Sequence, residues 1–285
     1  MELEVVTLSA VSNEGVPALT VETALDLMRV ADDEFHSPLL EVAGDRPLYG
    51  GQLVAQALRA ASLTVAPDRV AQSVHAYFLL PAVPREELVF SVRRERDSRR
   101  YAWRRVTASQ AGEAIFTLLC VFSMPKPGPE YQAVAMPVVS PPSELSTYPL
   151  GTRRSDVTRL LDLDIRYFED PEPWHGGPLQ LWVRVGGPLP DDDNLHACGV
   201  AFLSDMSNGL STAPQAGPDS RLLSLDHAVW LHRRCRADEW LFLDLQPHTT
   251  FGGRGLYSGR FFDQAGNLVA SLVQESLFDN PTAGW

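Results

Sequence analysis

Cysteine is scarce. Cys120, Cys198 and Cys235 are too few and too scattered to form a disulfide framework, and no Cys-x-x-Cys or Cys/His cluster has zinc-ligand spacing. Reduced thiols are expected. No uninterrupted apolar stretch reaches the roughly 18 residues that could span a bilayer. The first 19 residues carry Glu2, Glu4 and Glu14 with no basic residue ahead of an apolar run, which excludes a secretory signal. A cytoplasmic protein is expected. Bases are outnumbered, 24 against 36 acids, for a net charge of −12, so nucleic acid and anionic membranes should be repelled beyond a Debye length. Among those bases Lys126 is the single lysine, an imbalance on which no function is built.

What is present is globular. A chain of 285 residues with 45% hydrophobic and 9% aromatic content can bury roughly three quarters of its unfolded surface in one large domain or two ordinary ones. The chain also repeats itself. His75-Ala76, followed by Glu87-Leu88-Val89-Phe90, reappears as His227-Ala228 followed by Glu239-Trp240-Leu241-Phe242, 152 positions later. Gln110-Ala111-Gly112 and the apolar run after it match Gln264-Ala265-Gly266 and its run at 154. Self-similarity of this period indicates duplicated units. Between them, Pro125, Pro127, Pro129, Pro137, Pro141, Pro142 and Pro149 exclude helix interior and central strand. The expected division is an N-terminal unit over 20–124, a linker over 125–160 and a C-terminal unit over 161–280.

Each copy shows an apolar helical stretch followed by long alternating strands. Gly51–Ala61 is apolar on nearly every face and Leu195–Leu210 has the same character, which suits helices enclosed by other structure. Leu88–Arg94, Tyr101–Ala108, Trp240–Gln246 and Gly255–Phe262 alternate as strands, with the Gln-Ala-Gly tripeptides as turns. The fold class is α+β: two units, each a central helix wrapped by an antiparallel sheet, joined edge to edge in one pseudo-symmetric body, which also removes open edges.

With GGQLVAQAL (50–58), LDHAVWLHRR (225–234) and NLVASLVQES (267–276) in view, the chain resembles the type II acyl-CoA thioesterases, from about residue 22 to about residue 279. The resemblance implies a double hotdog fold and hydrolysis of fatty acyl-CoA to free acid and CoA without cofactor or metal. It also implies a water oriented by an aspartate within the second central helix, a hydroxyl and a glutamine. Asp205, Ser224 and Gln274 match those positions. The segment between Asp205 and Ser224, residues 206–223, is short and polar compared with the family's usual form, which bears on acyl-tunnel length and substrate preference. A homodimer or larger homo-oligomer is the family-based expectation.

Chemistry supports the same three residues on separate grounds. A thioester is hydrolysed by holding water against the carbonyl carbon, accepting a proton and stabilising the oxyanion. A carboxylate buried in an apolar helix has its pKa raised toward a useful base; the alternative is that Asp205 caps a local backbone kink. The first copy, from Arg46 to Pro67, contains no acid. The offsets place Gln72 and Cys120 opposite Ser224 and Gln274, so one active site per chain is expected, with the N-terminal half as a wall. Asp226-His227 cannot form a serine-hydrolase relay with Ser224, since strand neighbours point to opposite faces. His227 is read as a structural histidine partnered by Asp226.

Gly50-Gly51 is either a tight turn or a place where a ligand approaches free N–H groups at a helix start. Arg254 is a weak substrate-binding candidate. The arginines from Arg93 to Arg105 form a positive cluster near CoA's phosphate chemistry, or a solvated hairpin face balanced by Glu86, Glu87, Glu95 and Asp97. An enoyl-CoA hydratase would need a histidine a few residues from Asp205, and Met206–Gly217 has none. A non-catalytic acyl-CoA binding protein would show the same duplication.

Overall fold

A computed structural model of the chain describes residues 20–38, 47–84, 86–146, 163–168, 178–206 and 221–279. The first half runs α1 (Val21–Ala24), β1 (Met28–Ala31), β2 (Glu34–His36), α2 (Gly50–Ser62), β3 (Val70–Phe78), β4 (Val89–Asp97), β5 (Tyr101–Gln110) and β6 (Glu113–Ser123). The second runs β7 (Leu163–Tyr167), β8 (Leu179–Val185), α3 (Asp193–Leu203), β9 (Arg221–Ser224), β10 (Asp226–Leu231), β11 (Leu241–Phe251), β12 (Arg254–Phe262) and β13 (Leu268–Asp279).

The described strands form one sheet in the order β1-β2-β4-β5-β6-β3-β10-β13-β12-β11-β8-β7, with β9 also on β13. The halves meet where β3 and β10 pair antiparallel, Val74 opposite Val229 and Ala76 opposite His227. Two curved half-sheets thereby share one continuous ladder, as the edge-to-edge expectation required. Both Gln-Ala-Gly tripeptides are turns, with Ala111 and Gly112 at φ 48° and 82° and Gly266 at 83°, the left-handed region where glycine carries no steric cost.

Each half-sheet wraps a helix. Leu53, Val54, Ala55, Ala57, Leu58, Ala60 and Ala61 of α2 are all buried because β3, β4, β5 and β6 contact one side of it and α3 the other. α3 ends at Leu203, short of the expected Leu210. Ser204 turns its hydroxyl back to the Ala201 carbonyl at 2.7 Å, a side-chain bond that competes with further helix. Residues 207–210 lie outside the described ones.

The linker contains no strand over its described part, residues 125–146, and a single 3-10 turn at Pro142–Glu144. Its Val134, Met136 and Val139 pack on Trp182, Phe242 and Phe262 as a second small core. Trp182 Nε1 donates to the Ser140 carbonyl at 2.9 Å. The linker covers the back of the C-terminal half-sheet, and so Leu241 to Leu245 are buried on both strand faces instead of alternating. Residues 147–160 lie outside the described ones.

The sequence match at 152 is one residue out of register. His227 is wholly buried, whereas the inward residues of β3 are Val74 and Ala76 and His75 points outward against Trp230. Val74 therefore corresponds to His227. Arg104 on β5 likewise corresponds to Tyr257 on β12, 153 positions on, and Cys120 on β6 to Gln274 on β13, 154 positions on.

Candidate active site

Asp205 is fully buried two residues beyond the end of α3, not within it. The break in the helix lets its side chain leave the helix flank and aim across the gap between α3 and the sheet. Ser224 Oγ donates to Asp205 Oδ1 at 3.1 Å, and Gln274 Nε2 donates to the same oxygen at 2.7 Å. Gln274 Nε2 also donates to Ser224 Oγ at 2.7 Å. Three residues separated by tens of positions thus close a ring on one carboxylate oxygen. The other, Oδ2, is buried without a partner.

Local structure explains each placement. Ser224 ends β9, opposite Ser276 on β13, and a bulge at Leu225 separates it from β10, whose register on β13 begins with Ala228 opposite Val273. The bulge keeps Ser224 facing inward beside Gln274, itself an inward position of β13. Burial pushes the Asp205 pKa up to about 6; the Gln274 and Ser224 bonds and the Gly51 amide oppose that rise without cancelling it. A carboxylate with these properties can accept a proton near neutral pH.

The N-terminal half supplies more than a wall. The start of α2 points at Asp205, and a Cβ on Gly50 would run into Asp205 Oδ2 and stand 3.0 Å from the Phe78 ring. A Cβ on Gly51 would collide with the Phe202 carbonyl and with the Tyr49 ring at 2.5 Å. Both glycines are therefore required by the close approach of the chain's own Asp205, Phe78, Phe202 and Tyr49, and no side chain caps the helix there. Tyr49 Oη donates to the Phe202 carbonyl at 2.8 Å. Burial and the neighbouring Asp205 drive its pKa well up, so it stays neutral. Tyr49, Phe78, Ser204 and Tyr257 gave no signal in the sequence; only the close packing of α2 on the end of α3 brings them in.

The corresponding place in the first half is built differently. The counterpart of Ser224 is Ala71, not Gln72, by the same offset of 153 that relates Val74 to His227, and the bulge at Gln72 matches the one at Leu225. Thr64, next after the capping residue of α2, stands where Asp205 follows the cap of α3. Arg104 fills the space with its buried side chain: Nε donates to Thr64 Oγ1 at 2.8 Å, Nη2 to the Thr64 carbonyl at 3.2 Å, and Nη1 to Asp97 at 2.9 Å. The start of α3 is closed by Asp192, whose carboxylate accepts from Asn194 and Leu195. Base and open helix start both occur on the Asp205 side alone.

His227 is not partnered by Asp226. Its Nε2 lies 2.6 Å from Ser204 Oγ, while Asp226, on the opposite strand face, accepts from the Glu275 amide at 2.8 Å. Arg254 begins β12, three residues before Tyr257, half exposed and 3.3 Å from Glu275. Four of the seven arginines in the cluster are ion-paired, Arg94 with Asp33, Arg93 and Arg105 with Glu95 and Arg104 with Asp97. Two surface grooves, one lined by Arg234–Arg236 and Asp263 and one by Lys126–Val134 and Arg233, do not border Asp205. The converging polar atoms, not groove size, make Asp205 the candidate site. Residues 207–220, which follow Asp205, lie outside the described ones.

Two family models match the chain: the acyl-CoA thioesterase N-terminal domain over residues 42–123 and the acyl-CoA thioesterase C-terminal domain over 135–278. The chain belongs to the acyl-CoA thioesterase family. It is 30% identical to acyl-coenzyme A thioesterase 8 of Homo sapiens, over 91% of this chain and 89% of that protein. With acyl-CoA thioesterase 2 of Haemophilus influenzae it shares 29% identity over 82% and 88%. Among solved structures, an acyl-CoA thioesterase II from Mycobacterium marinum superposes with a TM-score of 0.77 at 33% identity, over 93% of this chain and all of that one. The fold of this thioesterase family member is thus the double hotdog. Among the described residues no helix is long and apolar enough to cross a membrane.

Proposed function

We propose that the protein hydrolyses fatty acyl-CoA to free acid and CoA by direct attack of water, with one catalytic centre per chain at Asp205, Ser224 and Gln274. The observation that carries this reading is the buried Asp205 carboxylate, held on Oδ1 by Ser224 and Gln274 and left with Oδ2 unpartnered. Oδ2 is the atom free to take a proton from water. With Asp205 ionised, Oδ1 accepts two hydrogen bonds and the carboxylate cannot swing away, so the water is held in one orientation. Ser224 and Gln274 fix the base, and water between them and Oδ2 attacks the thioester carbon.

The carbonyl oxygen becomes negative as water adds. The uncapped start of α2, with Gly50 and Gly51 stripped of side chains, presents backbone N–H groups and the positive end of the helix dipole beside Asp205, a suitable place for that charge. The thiolate of CoA then leaves and takes up a proton, which Asp205 can return. The catalytic unit is the C-terminal one, over 161–280; the unit over 20–124 contributes the helix start, and 125–160 links them. Arg254, exposed at the start of β12 beside Glu275, is our candidate to meet an anionic part of CoA. We assign the protein to the cytoplasm as a homodimer or larger homo-oligomer.

The test is thiol release from acyl-CoAs of graded chain length by the wild type and by Asp205→Asn. Turnover by the wild type and a loss of 10²–10⁴ in the variant are expected. A folded variant as fast as its parent would remove Asp205 from the chemistry, and acyl-CoA bound without any thiol release would make the protein a binder.

A further inference from the structure

Gln274 can hold Asp205 and Ser224 only with its amide turned one way. Both N–H bonds of Nε2 are then committed, at 2.7 Å to each residue, and Oε1 is left buried with no hydrogen-bond partner. Turned the other way, Oε1 would stand at that distance from an ionised carboxylate oxygen, acceptor against acceptor. An amide nearly symmetric in shape needs something that distinguishes its two ends.

His227 is in the place to do so. Ala228 lies opposite Val273, so the next inward rung sets His227 of β10 across from Gln274 of β13, and side chains on one face of an antiparallel pair are within reach of each other. His227 is fully buried, its Nε2 is bound to Ser204 Oγ at 2.6 Å, and its Nδ1 has no partner within hydrogen-bond geometry. Two orphaned atoms, His227 Nδ1 and Gln274 Oε1, therefore approach from neighbouring strands. An attraction between these side chains opposes the burial that lowers the His227 pKa to about 4, so the ring is neutral and bears one proton.

We propose, resting on the catalytic reading above, that His227 is a positioning residue whose Nδ1–H fixes the orientation of the Gln274 amide. Gln274 Oε1, buried and with no other donor, decides where that single proton sits. The Ser204 hydroxyl has one hydrogen and two acceptors in range, the Ala201 carbonyl and His227 Nε2. With the ring proton drawn to Nδ1 for Gln274 Oε1, Nε2 becomes the acceptor, and the Ser204 hydrogen turns to it in place of the Ala201 carbonyl. The result is a directed chain from Ser204 through His227 and Gln274 to Asp205, with each donor used. The opposite tautomer would set a bare Nδ1 against Oε1, an unpaired acceptor pair in the interior that costs free energy.

Two near-isosteres divide the ring's nitrogens. In His227→Asn the amide nitrogen can take the place of Nδ1, and in His227→Gln it reaches only the place of Nε2. We expect His227→Asn to retain kcat within about threefold. We expect His227→Gln to lose about tenfold in kcat with KM unchanged, the scale of one hydrogen bond. The acid limb of the kcat profile should move to higher pH in His227→Gln, because the amide donor that favours ionised Asp205 is no longer held in place. Among the described residues, Tyr49 before α2 is held neutral by burial and by the neighbouring Asp205, and burial lowers His227 to about 4, while Tyr257 of β12 lies opposite Gln274.

In the wild type, nitrogen-15 NMR of labelled histidine should show the His227 proton on Nδ1. A proton on Nε2, equal losses in the two variants, or an unmoved acid limb in His227→Gln would overturn the proposal. These outcomes differ from an unimpaired Asp205→Asn, which would undo the catalytic reading whatever the tautomer.

Discussion

Replacing Asp205 by asparagine should make the protein inactive and more stable at once. The pKa of Asp205 is raised by burial from 3.8 to about 6, so the folded state resists the charge that the unfolded chain takes on freely. A group raised in this way favours folding while protonated in both states, below about pH 4, and opposes it progressively as pH rises to about 6. Above that, the cost of holding the carboxylate is about 3 kcal/mol, from 1.36 kcal/mol for each unit of pKa. Asparagine removes the charge and keeps the acceptor at Oδ1, and the approach of the Gly51 amide to the carboxylate is the favourable contact it gives up.

The variant should therefore match the wild type near pH 4 and exceed it by up to about 3 kcal/mol at pH 7. In a chain of this size that is a rise in Tm of roughly 5–10 °C. Thermal unfolding from pH 4 to pH 8 measures it. His227, whose pKa is lowered to about 4, destabilises both proteins alike as pH falls below its unfolded value and cancels in the difference. A variant equal to or weaker than the wild type at pH 7 would mean that the carboxylate is not held at a cost, and the case for a base tuned by burial would fail.

Two further substitutions separate the two halves of the molecule. Gly50→Ala sets a methyl group against Asp205 Oδ2 and the Phe78 ring; displacing the base by a fraction of an ångström should lower kcat by about 10²-fold, and steady-state thiol release that is unchanged would show the helix start to be idle. Arg104→Ala empties the counterpart place and strands Thr64 and Asp97, so urea unfolding should show a loss of about 3 kcal/mol, with kcat of the folded variant within about twofold of wild type. A tenfold fall in its kcat would contradict a single catalytic centre.

Composition, proline placement and the repeat were sufficient to read two helix-and-sheet units joined edge to edge, because hydrophobic period and turn chemistry are local properties written residue by residue. Asp205 stood out for a similar reason: an acid in an apolar stretch is visible without coordinates. Register was not. The sequence match falls at 152, whereas the strands correspond at 153, with the bulges at Gln72 and Leu225 in equivalent places, and a one-residue slip exchanges the faces of a strand. The apparent twins His75 and His227 consequently point to opposite sides of the sheet, and Ala71, not Gln72, answers to Ser224.

What tertiary structure alone decided is contact between distant segments. Gly50 against Asp205, Tyr49 against Phe202, and His227 against Ser204 instead of its neighbour Asp226 all arise where two helices and two strands from separate halves close on one buried volume. No spacing along the chain encodes those meetings. They follow from packing at near-crystalline density, in which each side chain's position depends on every neighbour that fills the space around it.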